Sequence, residues 1–175
     1  EPPRVFLFDT VDAAPGYVER ILQRWERNGH DRNALLARRM RAFRLGDVER
    51  LRSLATKAAG KAYVMIYQKF TYEQAVAAAE RFGARLPMVT THEQLSVVNG
   101  LFERTHQGAW LGLTRTEEGL RWANGAPLTV ERFGTSRNRT QEGPWYHLCS
   151  MTGAGSWFAA PDAAVAANLI LEWDR

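Results

Sequence analysis

The stretch "AWLGLTRTEEGLRWANGAPL", residues 109–128, decides the fold of this 175-residue chain. Its first part predicts a buried strand, because Trp110, Leu111 and Leu113 are side chains typical of a protein core. Gly112 stands among them, and a glycine inside a strand allows another backbone to approach closely. The following "WANG" contains Asn and Gly, which favour a tight turn. The stretch therefore predicts two short strands and a turn.

The residues before this stretch predict one strand and two helices. "KAYVMIYQKF", residues 61–70, is rich in the aromatic and β-branched side chains that favour strands. Thr71 with Gln74, and Thr91 with Gln94, have the spacing of a capping box at the start of a helix. Gly83 suits the end of the first helix, and "ARLPMV" predicts an extended link to the second.

After residue 128 the sequence has no further helical periodicity. It contains short apolar runs separated by Gly, Asn and Pro, namely "PWYHLCSM", "GSWFAA" and "NLILEW". The order is one strand, two helices and then strands only. This order predicts an α+β fold.

The first 60 residues form a helical N-terminal segment in this interpretation, and residues 61–175 form the main domain. "RVFLFDT" at residues 4–10 predicts a short strand, and three helices follow it. The first runs from Pro15 to Gly29, the second is capped by Asp31, and the third is capped by Asp47 and extends through Ala58. Their apolar stripes, which include Trp25 and Phe43, predict packing either onto the main domain or between copies of the chain.

Composition and charge limit the functional classes. Hydrophobic residues make up 45% and charged residues 24%, as in ordinary globular proteins, and no run of about 18 apolar residues predicts a membrane span. Residues 1–60 hold 12 Lys/Arg and 8 Asp/Glu, whereas residues 61–175 hold 11 of each, so the net charge of +4 belongs to the first third. Because the chain starts at Glu1, we expect a mature product or a piece of a longer protein.

The single cysteine, Cys149, cannot form a disulfide within the chain. We therefore expect a reducing cytoplasm or a bacterial cell rather than a disulfide-rich extracellular setting.

Residues 61–175 resemble the C-type lectin-like domain, a fold of two helices and short, mainly antiparallel strands with a long loop region. The motifs that carry the resemblance occur in the family's order: Tyr72 and Ala75, "GARL" at 83–86, "WLGL" at 110–113, Trp122 with Asn124 and Gly125, Cys149 with Trp157, and Glu172. The sequence departs from the family pattern at two cysteine pairs. Ala79 and Leu171 occupy the positions where the resemblance implies the long disulfide bridge, and Asp162 lies near the position of the partner of Cys149.

The resemblance also implies where calcium would bind in a lectin. The family's long loop carries Glu-Pro-Asn or Gln-Pro-Asp, its next strand carries Trp-Asn-Asp, and their oxygens hold a calcium ion that binds sugar hydroxyls. Here residues 133–144 offer Glu142 without that motif, and Phe158 and Ala159 follow Trp157. Calcium needs about six to eight oxygen ligands, so one carboxylate is too few. We expect no metal and no cofactor.

The long loop instead offers hydrogen-bonding groups and two positive charges. Its candidate ligand-binding residues are Arg137, Asn138, Arg139, Glu142, Trp145 and Tyr146. We interpret the domain as a non-catalytic recognition module that binds a protein or a glycan without calcium. Two alternatives remain open: a solvated loop without a partner, and a regulatory or targeting domain of a multidomain enzyme whose catalytic part lies outside this chain.

Catalytic and nucleic-acid sites are not predicted. The four histidines, His30, His92, His106 and His147, lack metal-ligand spacing. His147 and Cys149 are two residues apart on a predicted strand, about 7 Å, with no orienting acid.

The arginines between residues 32 and 44 lack the neighbouring aromatics or helix-turn-helix pattern of a nucleic-acid site. We expect solvated helix faces with local ion pairs there, or docking to an acidic partner. Self-association or docking to a parent chain through residues 15–59 is a further alternative.

Overall fold

The computed structural model describes residues 15–29, 31–101, 108–130, 143–149, 156–160 and 165–175. The helices are α1 (Pro15–Asn28), α2 (Asp31–Leu45), α3 (Val48–Ser53), α4 (Tyr72–Arg81) and α5 (His92–Gly100). The strands are β1 (Thr56–Ala58), β2 (Lys61–Phe70), β3 (Ala109–Thr116), β4 (Gly119–Trp122), β5 (Trp145–Cys149), β6 (Ser156–Ala160) and β7 (Ala167–Asp174). The predicted α+β fold is confirmed. The strand predicted at residues 4–10 lies outside the described residues.

The strands form one sheet in the order β1-β2-β7-β3-β5-β6, and β4 pairs with β3 outside this path. β7 lies between β2 and β3, although it is the last strand in the sequence. It pairs antiparallel with β2, from Lys61 opposite Asp174 to Ile66 opposite Leu169, and parallel with β3 at Ala109. The last strand therefore joins the early and late parts of the domain.

The glycine of "WLGL" has the close backbone contact that the sequence predicts. The Gly112 amide donates to the Pro87 carbonyl at 2.9 Å. A Cβ at residue 112 would lie 3.1 Å from the Leu86 carbonyl oxygen. The extended link after α4 thus packs directly on β3.

The two predicted capping boxes differ. At α4 the box is complete, because the Thr71 hydroxyl accepts from the Gln74 amide and the Gln74 side chain accepts from the Thr71 amide at 3.0 Å. At α5 the Thr91 hydroxyl accepts from the Gln94 amide at 3.1 Å. The buried Gln94 side chain, however, accepts from the amide of Thr90 at 2.8 Å instead of from Thr91. The second box is therefore only half formed.

The third helix is shorter than the sequence predicts. α3 ends at Ser53, and Thr56–Ala58 forms β1, which pairs with β2 from Thr56 opposite Tyr63 to Ala58 opposite Lys61. Ala59 and Gly60 both have positive φ, 51° and 72°, as in the two-residue turns that suit a β-hairpin. The prediction that the helix extends through Ala58 was wrong, because pairing with β2 satisfies this backbone as a strand.

The N-terminal helices share a hydrophobic core with the sheet. Phe43 of α2 stacks on Phe82 at 4.9 Å between ring centroids and contacts Phe70 edge-on at 6.1 Å. Leu22 of α1 and Leu51 of α3 are fully buried in the same cluster as residues of β2 and β7. The sequence left two alternatives for Phe43, packing onto the main domain or between copies of the chain. In the structure Phe43 packs onto the main domain. The division at residue 60 stays a prediction.

A second hydrophobic cluster contains residues of β3, β5, β6 and α5. This cluster includes Val130 and Tyr146, which lie just before and just after the long loop in the sequence. No helix in the described part of the chain has the length and apolar character needed to cross a membrane.

Candidate ligand-binding site

A tight turn after β4 determines where the long loop begins. The Gly125 amide donates to the Trp122 carbonyl at 2.8 Å, and Gly125 has a φ of 81°, which favours glycine. The Asn124 side chain accepts from the Ala126 amide at 3.0 Å. The Ala123 amide donates to the Gly112 carbonyl at 2.8 Å, so the turn is attached to β3.

Gly143 and Pro144 fix the end of the loop just before β5. A Cβ at residue 143 would lie 2.0 Å from the Ala160 carbonyl oxygen, closer than any side chain tolerates. The Pro144 carbonyl accepts from the Arg115 amide at 2.9 Å. The chain thus leaves the loop between β3 and β6, and only glycine fits at residue 143.

Two buried tryptophans lie under this region. Trp122 and Trp157 meet edge-to-face at 5.6 Å between centroids, and both are almost fully buried. The segment after the turn is held by Thr129, whose hydroxyl donates to the Thr90 carbonyl at 3.1 Å. These contacts attach the segment at the start of the loop to the core.

Trp145 and Tyr146, two of the candidate site residues, lie on opposite faces of β5. Trp145 is half-buried and stacks on Tyr72 at 5.2 Å between centroids. Tyr146 is fully buried in the cluster under the loop. Contact of either side chain with a ligand stays a prediction. The other candidates, Arg137, Asn138, Arg139 and Glu142, lie outside the described residues.

Arg115 is a residue of this region that the sequence analysis missed. Its side chain is exposed, its guanidinium donates to the Tyr146 hydroxyl, and its Cζ atom lies 5.9 Å from the centre of the Tyr146 ring. This distance is within the range of a cation–π contact. The guanidinium is therefore held against Tyr146, while the backbone amide of Arg115 donates to the Pro144 carbonyl at the loop exit. Strand alternation gave no signal for it, because Arg115 falls on the same face of β3 as the buried Leu111 and Leu113.

The comparison with protein families matches the model of the lectin C-type domain over residues 68–162, more than half of the chain. The chain belongs to this family. A search of curated protein sequences finds no match to this C-type lectin domain.

Solved C-type lectin domains have the same fold. The carbohydrate-recognition domain of the human scavenger receptor C-type lectin is 21% identical, with a TM-score of 0.57 over 69% of this chain and 96% of that chain. The Ca²⁺-independent C-type lectin SPL-2 from Saxidomus purpuratus is 20% identical, with a TM-score of 0.62 over 69% of this chain and 91% of that one. SPL-1, solved in complex with GlcNAc, is also 20% identical, with a TM-score of 0.60 over 66% and 89%. These identities establish the fold alone.

The described residues of β6 do not fit the calcium ion that the family resemblance implies. Phe158 is half-buried, and Ala159 is 5% exposed and packs in the cluster under the loop. Neither side chain has an oxygen, and calcium binds oxygen ligands. Within the described ranges, no three Asp, Glu, His or Cys side chains are grouped as metal ligands.

Apolar packing surrounds the positions where the resemblance implies the long disulfide bridge. Ala79 of α4 is 1% exposed and Leu171 of β7 is fully buried, and both belong to the cluster that also contains Phe43. This cluster extends from α1 to β7. Hydrocarbon contacts therefore occupy the place of the covalent link.

A charged cluster lies near the end of β7, where Arg85 and Lys61 contact acidic residues of this strand. Glu172 is fully buried, and it accepts from Arg85 Nε at 2.9 Å and from the Met88 amide at 3.2 Å. Burial raises the pKa of Glu172, and the Arg85 guanidinium opposes this rise. Arg85 and Lys61 both donate to Asp174 and hold the pKa of that carboxyl well below its usual range. All the groups in this cluster have partners within it, which indicates a structural role.

The histidines do not alter this description of the site. His92 is exposed in the first turn of α5. The backbone of His147 and Cys149 lies in β5, but their side chains are outside the described part, as are His30 and His106. The absence of a Cys–His catalytic pair stays a prediction.

Proposed function

We propose that this C-type lectin domain is a non-catalytic recognition module that binds a glycan or a protein without calcium. The observation that carries the proposal is the pair Phe158–Ala159 on β6, where hydrocarbon stands in place of calcium-ligating oxygens. The fold around this pair is intact, because Trp157 keeps its buried contact with Trp122. A scaffold that keeps this packing without oxygen ligands at residues 158 and 159 supports recognition by other groups.

Two solved structures with this fold support the proposal by analogy. One is described as a Ca²⁺-independent C-type lectin, and the other contains GlcNAc. The scaffold therefore accommodates calcium-independent lectins. Extending either property to this chain is part of the proposal.

The recognition surface of the proposal includes Arg115 and the residues of the long loop. Arg137, Asn138, Arg139 and Glu142 supply hydrogen-bonding groups, and Trp145 and Tyr146 form the base of the loop exit. Arginine forms paired hydrogen bonds with carboxylates, so three guanidinium groups favour a polar or acidic ligand.

The decisive experiment is a glycan array and a pull-down from native lysate with the full chain, each in millimolar calcium and in excess chelator. The proposal expects the same bound glycans or proteins in both conditions and no shift in melting temperature with calcium. Ligands that are lost on chelation, together with a melting temperature that rises by several degrees with calcium, would refute it.

A double variant tests the position of the site once a ligand is found. R137A/R139A should weaken binding by about tenfold, because two charge-assisted contacts are removed. The control R50A/R52A removes the same charge from α3 and should bind as the wild type does. If R137A/R139A bound the ligand as tightly as R50A/R52A does, the loop would be excluded as the site.

The alternative of a targeting or regulatory domain in a multidomain enzyme uses the same recognition surface, and no described residue favours it over a free-standing module. Residence in a reducing or bacterial compartment is likewise part of the proposal, and the single cysteine supports it.

A further inference from the structure

Helix α1 carries its long polar and charged side chains in two parallel rows. The first row is Glu19, Gln23 and Glu26, which are spaced at i, i+4 and i+7 on one face of the helix. Arg41 of α2 contacts both acids: its Nε lies 2.9 Å from Glu19, and its Nη1 donates to Glu26. The hydrogen bond with Glu26 raises the pKa of Arg41. Both acids of α1 are thus engaged inside the helical hairpin.

The second row is Arg20, Arg24 and Arg27, and we call it the arginine row. Each arginine follows a member of the first row, so the arginine row is rotated about the helix axis by about 100°. All three side chains are exposed. Arg27 donates to the Gln23 carbonyl at 3.4 Å, and no described carboxylate forms an ion pair with any member of the row.

This arrangement is unfavourable for α1 in isolation. Like charges at i and i+4 repel on a helix surface. Arg20 also extends over the first turn, since its Nη1 would lie 3.0 Å from a Cβ at Gly16. The first turn has no acidic residue, so a guanidinium lies near the positive end of the helix dipole. An anionic partner would remove both penalties.

We infer that the arginine row docks an acidic helix of a partner protein. Its three members span about 10.5 Å along the axis, and acidic residues at i, i+4 and i+7 of a second helix have the same spacing. Guanidinium groups bind carboxylates through paired hydrogen bonds. The orientation of the row is fixed, because Leu22 on the inner face of α1 is fully buried. The net charge of +4 in residues 1–60 favours the approach of an acidic partner.

A second helix fits this surface better than a nucleic acid does. The arginine row is narrow, and the row of Glu19 and Glu26 runs directly beside it. A phosphate backbone that spread over α1 would meet these carboxylates. A single row of acidic side chains would contact the arginines alone.

The test uses the full chain and a labelled synthetic helix of alanine and glutamine with glutamates at i, i+4 and i+7. A control peptide has the same composition, with its glutamates distributed around the helix. Fluorescence anisotropy at low salt should show binding of the first peptide about tenfold tighter than that of the control. The variant R20Q/R24Q/R27Q should lose this tenfold preference. R50Q/R52Q/K57Q, which removes three exposed positive charges from α3 and β1, should keep it.

Three results would overturn the inference: equal binding of both peptides, wild-type binding by R20Q/R24Q/R27Q, or tighter binding of duplex DNA or heparin than of the first peptide. Circular dichroism checks that the triple variant keeps its helices. Should it not fold, R24E alone provides the test, with an expected loss of about threefold and an unchanged melting curve.

Discussion

The two halves of the sheet, β1-β2-β7 and β3-β5-β6, depart from the family pattern in different ways, and we call them the β2–β7 end and the β5–β6 end. At the β2–β7 end, Ala79 and Leu171 stand where the resemblance implies a disulfide, and a large apolar cluster surrounds them. At the β5–β6 end, Phe158 and Ala159 stand where it implies calcium ligands. Hydrocarbon can replace a covalent bridge, because both contribute to stability. It cannot replace a metal ligand, because an alkyl group donates no electron pair to calcium. The first change leaves the core packed, whereas the second leaves residues 158 and 159 without the oxygen atoms that calcium binds.

The largest effect is expected from Phe43→Ala at the β2–β7 end. Phe43 is 4% exposed and stacks on Phe82, so its removal leaves a cavity and should lower the free energy of unfolding by about 3 to 5 kcal/mol. Urea denaturation measures the change. Leu45→Ala is the control on the same helix: Leu45 is 77% exposed, so the change should be within about 0.5 kcal/mol. Equal effects of the two substitutions would show that α2 does not share this core in solution.

The double variant A79C/L171C tests the correspondence with the disulfide positions. Oxidation should form a bridge between α4 and β7 and stabilise the oxidised protein over its reduced form by about 2 to 4 kcal/mol. Mass spectrometry and urea denaturation with and without reductant measure the two states. Failure to form the bridge, while the single variant A79C folds normally, would show that these positions do not correspond.

Gly143→Ala tests the β5–β6 end. The new Cβ would clash with the Ala160 carbonyl, so we expect a loss of about 1 to 3 kcal/mol together with weaker ligand binding. The control is Glu117→Ala at an exposed position of the turn between β3 and β4, which should change stability by less than about 0.5 kcal/mol. Unchanged stability of Gly143→Ala would contradict the close approach of the loop exit to β6.

The smallest effect concerns Asp174 and the dependence of stability on pH. Its pKa is lower in the folded state, so its contribution is complete above the unfolded value of about 4 and is lost as the pH falls toward the lowered pKa. Because the side chain is 66% exposed, we expect less than about 1 kcal/mol. D174N should therefore be slightly less stable than the wild type at pH 7 and should lose less stability between pH 7 and pH 3. Parallel pH profiles of the urea midpoint would contradict this.

The sequence predicted the parts of the fold that depend on local chemistry. Thr71 and Gln74 cap α4 because both partners lie within one turn. Gly112 makes the close backbone contact that its place in an apolar strand indicates. The hairpin of β1 was missed because Thr56–Ala58 continues an apolar helical spacing, and its strand state depends on pairing with β2. The site was less predictable. The contact of Arg115 with Tyr146 joins residues 31 positions apart, and no local pattern indicates it.

The central position of β7 also constrains how the protein is made. β2 and β3 are both synthesised before residues 167–174, and each leaves an unpaired edge until β7 is inserted between them. Exposed strand edges promote aggregation. The sheet therefore closes only after residues 167–174 have left the ribosome exit tunnel, and a nascent chain stalled before residue 167 would expose both edges.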